Sequence, residues 1–398
     1  MNKLPNGWEE KRLDDLFKEF TEKNHADKNI LASTQDRGVI PSDLLDRHII
    51  RKKESLSNYK LVKKGCFVIS LRSFQGGFEY SNYEGIISPA YTILEPKMKL
   101  VDDFYKYYFK SYYFINKSLP KYAEGIRDGK QIKYKACKEI LVPYPPLDEQ
   151  KRIASALSKI DAYLENTIKL IEEKERFKRG IAKKLLTCKE GENISEARFK
   201  GFEDEWEIVK LGDITKMISG GTPNTKIKEY YNGNIVWATI TDITNSYKYL
   251  YDSEKKITEL GLQNSSTKIF PINTVLYSIY GSIGECAISK VECTTNQAIL
   301  GIECSDKINY NFLYYLLSNH KNNAKKLRQF GTQPNINKKI VLNFYFKIPN
   351  IEEQEKIGGY LSLLDEEIDN LKKQKELIKE MKRGAMQKLL SGEVRLLE

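Results

Sequence analysis

Two stretches of this chain place chemistry-bearing residues at spacings that enzymes use. Gly125-Ile-Arg-Asp-Gly129-Lys130-Gln131 resembles a phosphate-cradling loop, where glycines let backbone amides close on an anion and a lysine reaches its outer oxygens. It has three residues between its glycines instead of four, and Gln131 stands where Ser or Thr would hold magnesium. Glu149-Gln150-Lys151, with Asp128 upstream, offers the acids and lysine of a metal-dependent nuclease. A matching stretch far downstream has Glu355 at the lysine position, and Glu172-Glu-Lys174 shows the triplet again, so a charged helix start is the simpler reading. Pro143-Tyr-Pro-Pro-Leu147 has the prolines of an adenine-methyltransferase motif, without the amide or acid before them or the aromatic after. His25, His48 and His320 are scattered, which leaves no Ser–His–Asp set to argue. The cysteines form no C-x-x-C pair, so zinc-ligand spacing is absent as well. These residues predict no catalytic group, no cofactor site and no metal site in the chain itself.

The elements that must position such residues are written twice. Pro146-Leu-Asp-Glu149-Gln150-Lys-Arg-Ile153 matches Asn350-Ile351-Glu-Glu353-Gln354-Glu-Lys-Ile357. At the same offset Leu157 falls on Leu361, Asp161 on Asp365, and Phe177-Lys-Arg-Gly180 on Met381-Lys-Arg-Gly384. Upstream, Trp8 to Asp15 echoes Trp206 to Asp213, and Phe104 and Tyr107 echo Phe312 and Tyr315. Four collinear matches mark a tandem duplication.

Each repeat ends in a long helix. Ile153, Leu157, Ile160, Leu164, Ile168 and Ile171 alternate steps of three and four, as do Ile357, Leu361, Leu364, Ile368 and Leu371, resuming at Ile378 and Met381. Charged residues fill the gaps, the pattern of a coiled-coil seam. Prolines precede both starts, and Asp148-Glu149 and Glu352-Glu353 suit the positive end of the helix dipole. About 40 residues at ~1.5 Å each makes such a helix roughly 60 Å long. Ahead of each helix lies a mixed domain, with strands expected at Cys66–Ser70, Ile235–Ile240 and Thr274–Ile279 and short helices at Phe104–Phe114 and Phe312–Leu317. Trp237 and the aromatic residues of those helices read as core. The expected architecture is α+β: domain 1–145, helix 146–188, domain 189–348, helix 349–398. Antiparallel pairing of the helices would bury both seams and relate the repeats by approximate two-fold rotation.

Composition is consistent with that picture. The 398 residues carry 65 Lys+Arg against 54 Asp+Glu, a net charge of +11, which favours an acidic partner, nucleic acid ahead of membrane. No apolar run approaches the ~20 residues of a membrane span, and the first residues lack a secretory core segment, so a cytoplasmic protein with reduced thiols is expected.

The second domain contains Ser219-Gly-Gly-Thr222-Pro, Glu229-Tyr-Tyr, Ile235-Val-Trp-Ala-Thr239, Tyr280-Gly-Ser282-Ile-Gly, Thr295-Asn-Gln-Ala and Gly331-Thr-Gln333-Pro-Asn335-Ile. In this order, closing into the Glu-Glu-Gln helix start, they resemble the target-recognition domain of a type I restriction–modification specificity subunit. The first domain matches more loosely, through Leu61-Val-Lys-Lys-Gly65, Glu84 to Tyr91 and Gly125 to Lys133, and it lacks both the Ser-Gly-Gly-Thr-Pro stretch and the Asn-Gln pair. The repeated helix ends, Lys-Arg-Gly followed by Lys-Leu-Leu, are the most specific part. The resemblance implies a non-catalytic subunit that reads a split target in double-stranded DNA, one half per domain. It also implies a scaffold for two methyltransferase subunits on the long helices, joined by motor-nuclease subunits. S-adenosylmethionine, ATP and magnesium would then belong to the partners.

Under that reading the Gly220-Gly221 segment is a mobile stretch that lets backbone approach phosphate, with Ser219, Thr222, Lys226, Thr239, Tyr280 and Ser282 beside it as candidate contacts. Gln333, Asn335 and Asn337 have the amides that pair bidentately with adenine. In the first domain Arg72, Gln75, Arg127, Lys130, Gln131 and Lys133 are the comparable residues. Two other readings stay open, a self-sufficient nuclease or methyltransferase and a dimeric coiled-coil transcriptional regulator.

Overall fold

The computed structural model describes residues 4–45, 53–124, 131–327 and 335–396. The chain divides into two compact units, Met1–Ile168 with Lys373–Glu398, and Lys169–Lys372.

In the first unit a four-stranded antiparallel sheet runs in the order Phe17–Phe20, Thr92–Pro96, Phe67–Ile69, Glu79–Tyr80. The helix Asp102–Tyr108 lays Phe104, Tyr105, Tyr107 and Tyr108 on the core. Phe17, Phe109 and Phe114 meet the Tyr105 and Tyr108 rings in edge-to-face and tilted contacts, and Phe67 packs edge-on against Phe17 and Phe109, which explains why so aromatic a stretch is interior. The expected helix over Phe104–Phe114 ends early, and a separate π-helical turn covers Phe114–Ser118.

The second unit repeats that sheet as Thr215–Ser219, Ile299–Cys304, Val275–Ser278, Cys286–Ser289, and adds Tyr249–Leu250 in parallel at the edge. A second sheet forms around Tyr231–Ala238, where Trp237 is buried as expected. The expected short helix at Phe312–Leu317 is the middle of a longer one, Tyr310–Lys326, capped by the Asn309 side chain. In both units an early strand pairs with the strand just before the long helix: Glu9–Arg12 with Leu141–Tyr144, and Glu207–Lys210 with Tyr345–Ile348.

The long helices are Leu147–Leu186 and Ile351–Leu390. Within the first unit Asp161 contacts Lys382 and Tyr163 contacts Gln374, while Glu149 reaches Arg395 beyond the helix end. Within the second unit Lys174 contacts Glu367 and Lys178 contacts Asp365. Residue numbers rise on one helix as they fall on the other, so the pairing is antiparallel in each unit. The seam holds at Ile153, Leu157, Ile171, Ile357, Leu361, Leu364, Ile368 and Ile378, all buried. It departs from expectation at Ile168 and Met381, which are exposed, and at Thr167, which is buried in place of Ile168.

Candidate nucleic-acid interface

In the second unit the recognition candidates gather around one short segment, Thr295–Ala298. Gly220 donates its amide to Ile299 O and Gly221 donates to Thr295 O. The Thr222 hydroxyl meets the Gln297 side chain. Asn296 N donates to Ala238 O, next to Thr239, and Ile279 N donates to Ala298 O, next to Tyr280. Tyr280 in turn forms an antiparallel bridge with Asn335. Thus Ser219 to Thr222, Thr239, Tyr280 and Asn335, far apart in sequence, share one neighbourhood. Ser282 and Lys226 are exposed on turns beside their motifs. Gln297 belongs with this group although sequence reasoning left it out. It is exposed and bonded to Thr222, and its signal was the Thr-Asn-Gln-Ala motif itself.

Four candidates have structural work that changes their reading. Gly220 and Gly221 are buried, and a Cβ on Gly220 would lie 2.2 Å from Asn296 O, one on Gly221 2.5 Å from Thr267 N. The glycines admit neighbouring backbone of the protein, not phosphate, and their amides are already used. The mobile segment of the sequence reading is a tightly packed one. Thr239 sits at the N-cap of Ile240–Asn245, where Asp242 accepts from its hydroxyl at 2.6 Å and its amide at 2.8 Å. Asn337 caps Lys338–Leu342, its side-chain oxygen accepting from Ile340 N at 3.0 Å. Its bidentate pairing with adenine would compete with that cap.

The first unit places its candidates at equivalent points. Phe67 and Val275 occupy the same register in their sheets, and Arg72 and Tyr280 follow them at the same distance. Lys133 precedes the helix Tyr134–Cys137 as Asn337 precedes Lys338–Leu342, so Gln131 matches Asn335. The Arg72–Gln75 turn lies beside the strand Gln131–Ile132, as Tyr280 lies beside Asn335. Arg72, Gln75 and Lys133 are exposed. Arg127, Lys130 and Gln333 lie outside the described residues, as does the loop that resembles a phosphate cradle.

Behind these surfaces each unit builds the same set of clamps. Glu149 and Glu353, expected as helix-start acids, are buried. Glu149 accepts two bonds from Arg395, at 2.6 and 2.7 Å, and one from Trp8 Nε1 at 2.9 Å. Glu353 accepts from Arg198 at 2.8 and 2.7 Å. Burial alone would raise the Glu149 carboxyl, but the Arg395 and Trp8 donors bring it below its ordinary range. Gln150 and Gln354 each accept from the backbone just ahead of the recognition-domain helix, Val101 N and Asn309 N, both at 2.9 Å. Tyr107 donates to Asp161 at 2.8 Å and Tyr315 to Asp365 at 2.5 Å. Lys382 and Lys178 complete these pairs from the opposite helix. Burial, then the neighbouring carboxylate, push both tyrosine hydroxyls well above their ordinary range, so they remain donors. The helix-start reading of Glu149-Gln150-Lys151 accounts for these contacts. Among the described residues no cluster of His, Cys, Asp or Glu is arranged to hold a metal ion, and no helix is long and apolar enough to cross a membrane.

Comparison with known proteins gives a consistent result. A family model described as the type I restriction modification DNA specificity domain matches residues 5–173 and again 203–380. The chain is similar to the MjaVIII specificity subunit of Methanocaldococcus jannaschii, at 27% identity over 99% of this chain and 94% of that one. Against the MjaIX specificity subunit of the same organism identity is 37%, over 44% of this chain and 42% of the relative, so that match spans less than half of the longer protein. Among solved structures, a chain from a study of complex assembly in a type I restriction–modification system aligns over 99% of this chain and 100% of that one, with a TM-score of 0.65 at 15% identity. The S subunit from M. genitalium aligns over 98% and 97%, with a TM-score of 0.56 at 17% identity.

Proposed function

Because the chain belongs to the type I restriction–modification DNA specificity family, we propose that each unit reads one half of a split DNA target and that the long helices carry the subunits that act on it. The carrying observation is the equivalence of the two surfaces. Arg72 and Tyr280, and Lys133 and Asn337, occupy matching points with different chemistry at each, while Gln131 and Asn335 match as carboxamides. Matching positions with unlike side chains suit two readers of one build that recognise unlike sequences.

The helices supply the second part of the reading. Phe177 and Met381 are matched and exposed, and Gly180 and Gly384, three residues on, have open space where a Cβ would stand. A mid-helix glycine costs about 1 kcal/mol relative to alanine. Nothing inside the chain requires either glycine, so a partner backbone that approaches closely, once per repeat, is the natural reason for both. Two methyltransferase subunits fit that count, with motor-nuclease subunits joining them. S-adenosylmethionine, ATP and magnesium would be held by those partners, and the chain itself would be a cytoplasmic, non-catalytic reader.

The test is the methylation motif in DNA from cells that make this chain with its cognate modification subunit. A two-part motif is expected, and Gln333→Ala should relax only the half read by the second unit. Turnover of DNA by the purified chain alone, given S-adenosylmethionine, ATP and magnesium, would refute the non-catalytic reading.

A further inference from the structure

One buried ion pair in the first unit has no counterpart among the repeated clamps. The Lys110 ammonium donates to Glu79 Oε1 at 2.5 Å, to Gly76 O at 2.8 Å and to Gln35 O at 3.1 Å. Glu79 has a side chain 2% exposed, and its other oxygen has no partner among the described residues. Burial, opposed by Lys110, lifts its carboxyl to about 6. Burying a pair this way is costly, and packed apolar residues would serve stability as well. The arrangement is better understood as fixing geometry.

It fixes two exposed elements against each other. Gly76 ends the short helix Ser73–Gly76 that carries Arg72 and Gln75. Gln35 stands at the tip of the hairpin Leu31–Thr34 with Gly38–Pro41. A Cβ on Gly76 would lie 2.9 Å from Gln35 Cγ, so the Gln35 side chain rests against the helix at its glycine. The tip is itself held in shape: Thr34 Oγ1 donates to Gly38 O at 2.8 Å and accepts from Arg37 N at 3.1 Å.

Gln35, Asp36 and Arg37 are exposed in a row. Amide, carboxylate and guanidinium are the groups that pair with adenine, cytosine and guanine edges respectively. The tip has no net charge, and Asp36 would be repelled by phosphate. The chemistry therefore favours base edges over the backbone. We propose that the hairpin tip Gln35–Arg37 reads bases in the half-site of the first unit, with Lys110 and Glu79 as the residues that position it against Arg72 and Gln75. The inference rests on the reading that the first unit binds DNA, and the test separates the two.

The test uses the full chain in complex with its cognate modification subunit, methylating a DNA library randomised in both half-sites. Gln35→Ala and Arg37→Ala should each relax preference at a position of the first half-site by about tenfold. The second half-site and the salt dependence of binding should not change. Lys110→Met should relax the same half-site and speed hydrogen exchange at the tip, with recovery in Lys110→Arg, whereas a merely structural lysine would lower thermal stability and leave the motif intact. If Arg72→Ala alters the motif but Gln35→Ala and Arg37→Ala do not, the hairpin does not read. If none of the three alters it, the first unit does not read through this surface at all. Uniform weakening across sequences in the tip variants would make the tip a phosphate contact and overturn the proposal.

Discussion

Replacing Glu149 by glutamine tests whether the duplicated acid holds the C-terminal segment in the first unit. Glu149 is 2% exposed in its side chain and Arg395 22%, with two charge-assisted bonds between them and a third from Trp8. The amide of Glu149→Gln can still accept from Trp8 Nε1 but leaves the guanidinium without its counter-charge. Breaking a fully buried pair costs about 3–5 kcal/mol, and partial exposure of Arg395 lowers the expectation to about 2–3 kcal/mol. In the second unit Glu353 is 0% and Arg198 13% exposed, so Glu353→Gln should cost more, about 3–4 kcal/mol.

Urea denaturation followed by tryptophan fluorescence separates the units, because Trp8 reports on the first while Trp206 and Trp237 report on the second. Arg395 lies over the Trp8 ring, 5.9 Å from its centroid, which makes Trp8 emission a local probe. A cycle with Arg395→Gln should show coupling above about 1 kcal/mol. The depressed Glu149 carboxyl also implies a direction with pH. Its stabilisation is present above the ordinary glutamate value and is lost as pH falls through the lower folded value, so the first unit should weaken in acid and Glu149→Gln should blunt that loss. Additive single effects below about 1 kcal/mol, with no change in the acid limb, would refute the idea that this pair anchors the segment.

Gly220→Ala should destabilise the second unit by about 2 kcal/mol or more in the same melts, since the added methyl meets Asn296 O; near-neutral stability with weakened DNA binding would return Gly220 to a phosphate role. Burial lowers the Lys248 ammonium to about 8, so the native state holds this proton less tightly than the unfolded chain. Stability of the second unit should therefore rise between about pH 8 and the ordinary lysine value, and Lys248→Met should remove that rise in melts taken across the range. Phe177→Asp and Met381→Asp should each release one modification subunit and together release both, as read by mass in solution, with thermal stability unchanged because both side chains are exposed.

Much of the duplication was legible because many of the residues that repeat have internal jobs. Glu149 and Glu353 hold arginines, Gln150 and Gln354 hold a helix start, and Asp161 and Asp365 hold a tyrosine and a lysine. Each job is met by one side chain at one spacing, so matching letters reveal it. The helical seam was legible at most of its positions, and it failed at Ile168 and Met381. An apolar repeat stepping at 3.5 drifts by about 20° per heptad on a straight helix. Ile168 has thus rotated outward where Thr167 has come in. The hairpin tip left no trace in the sequence, since Gln35 meets Gly76 and Lys110 only after the sheet has formed. Gly220 and Gly221 misled for the reverse reason: a Gly-Gly pair signals close approach without saying of what.

The same contrast locates specificity within a single chain. Where the two units agree residue for residue, as at the helix clamps, the side chains are buried or half-buried and bonded within the protein. Where they differ at equivalent turns, Arg72 against Tyr280 and Lys133 against Asn337, the side chains are exposed. On the proposed reading, a scaffold that presents two unlike half-site readers gains from that division, because a residue shared by both roles ties the folding of one unit to the sequence it reads. The hairpin tip Gln35–Arg37, the proposed reading element, follows the same rule in its extreme form, exposed in one unit where the other builds a different sheet around Tyr231–Ala238. Exchanging Arg72 for the tyrosine of the second unit should therefore change which bases are preferred without changing stability, whereas exchanging Glu149 for any neutral residue should do the opposite.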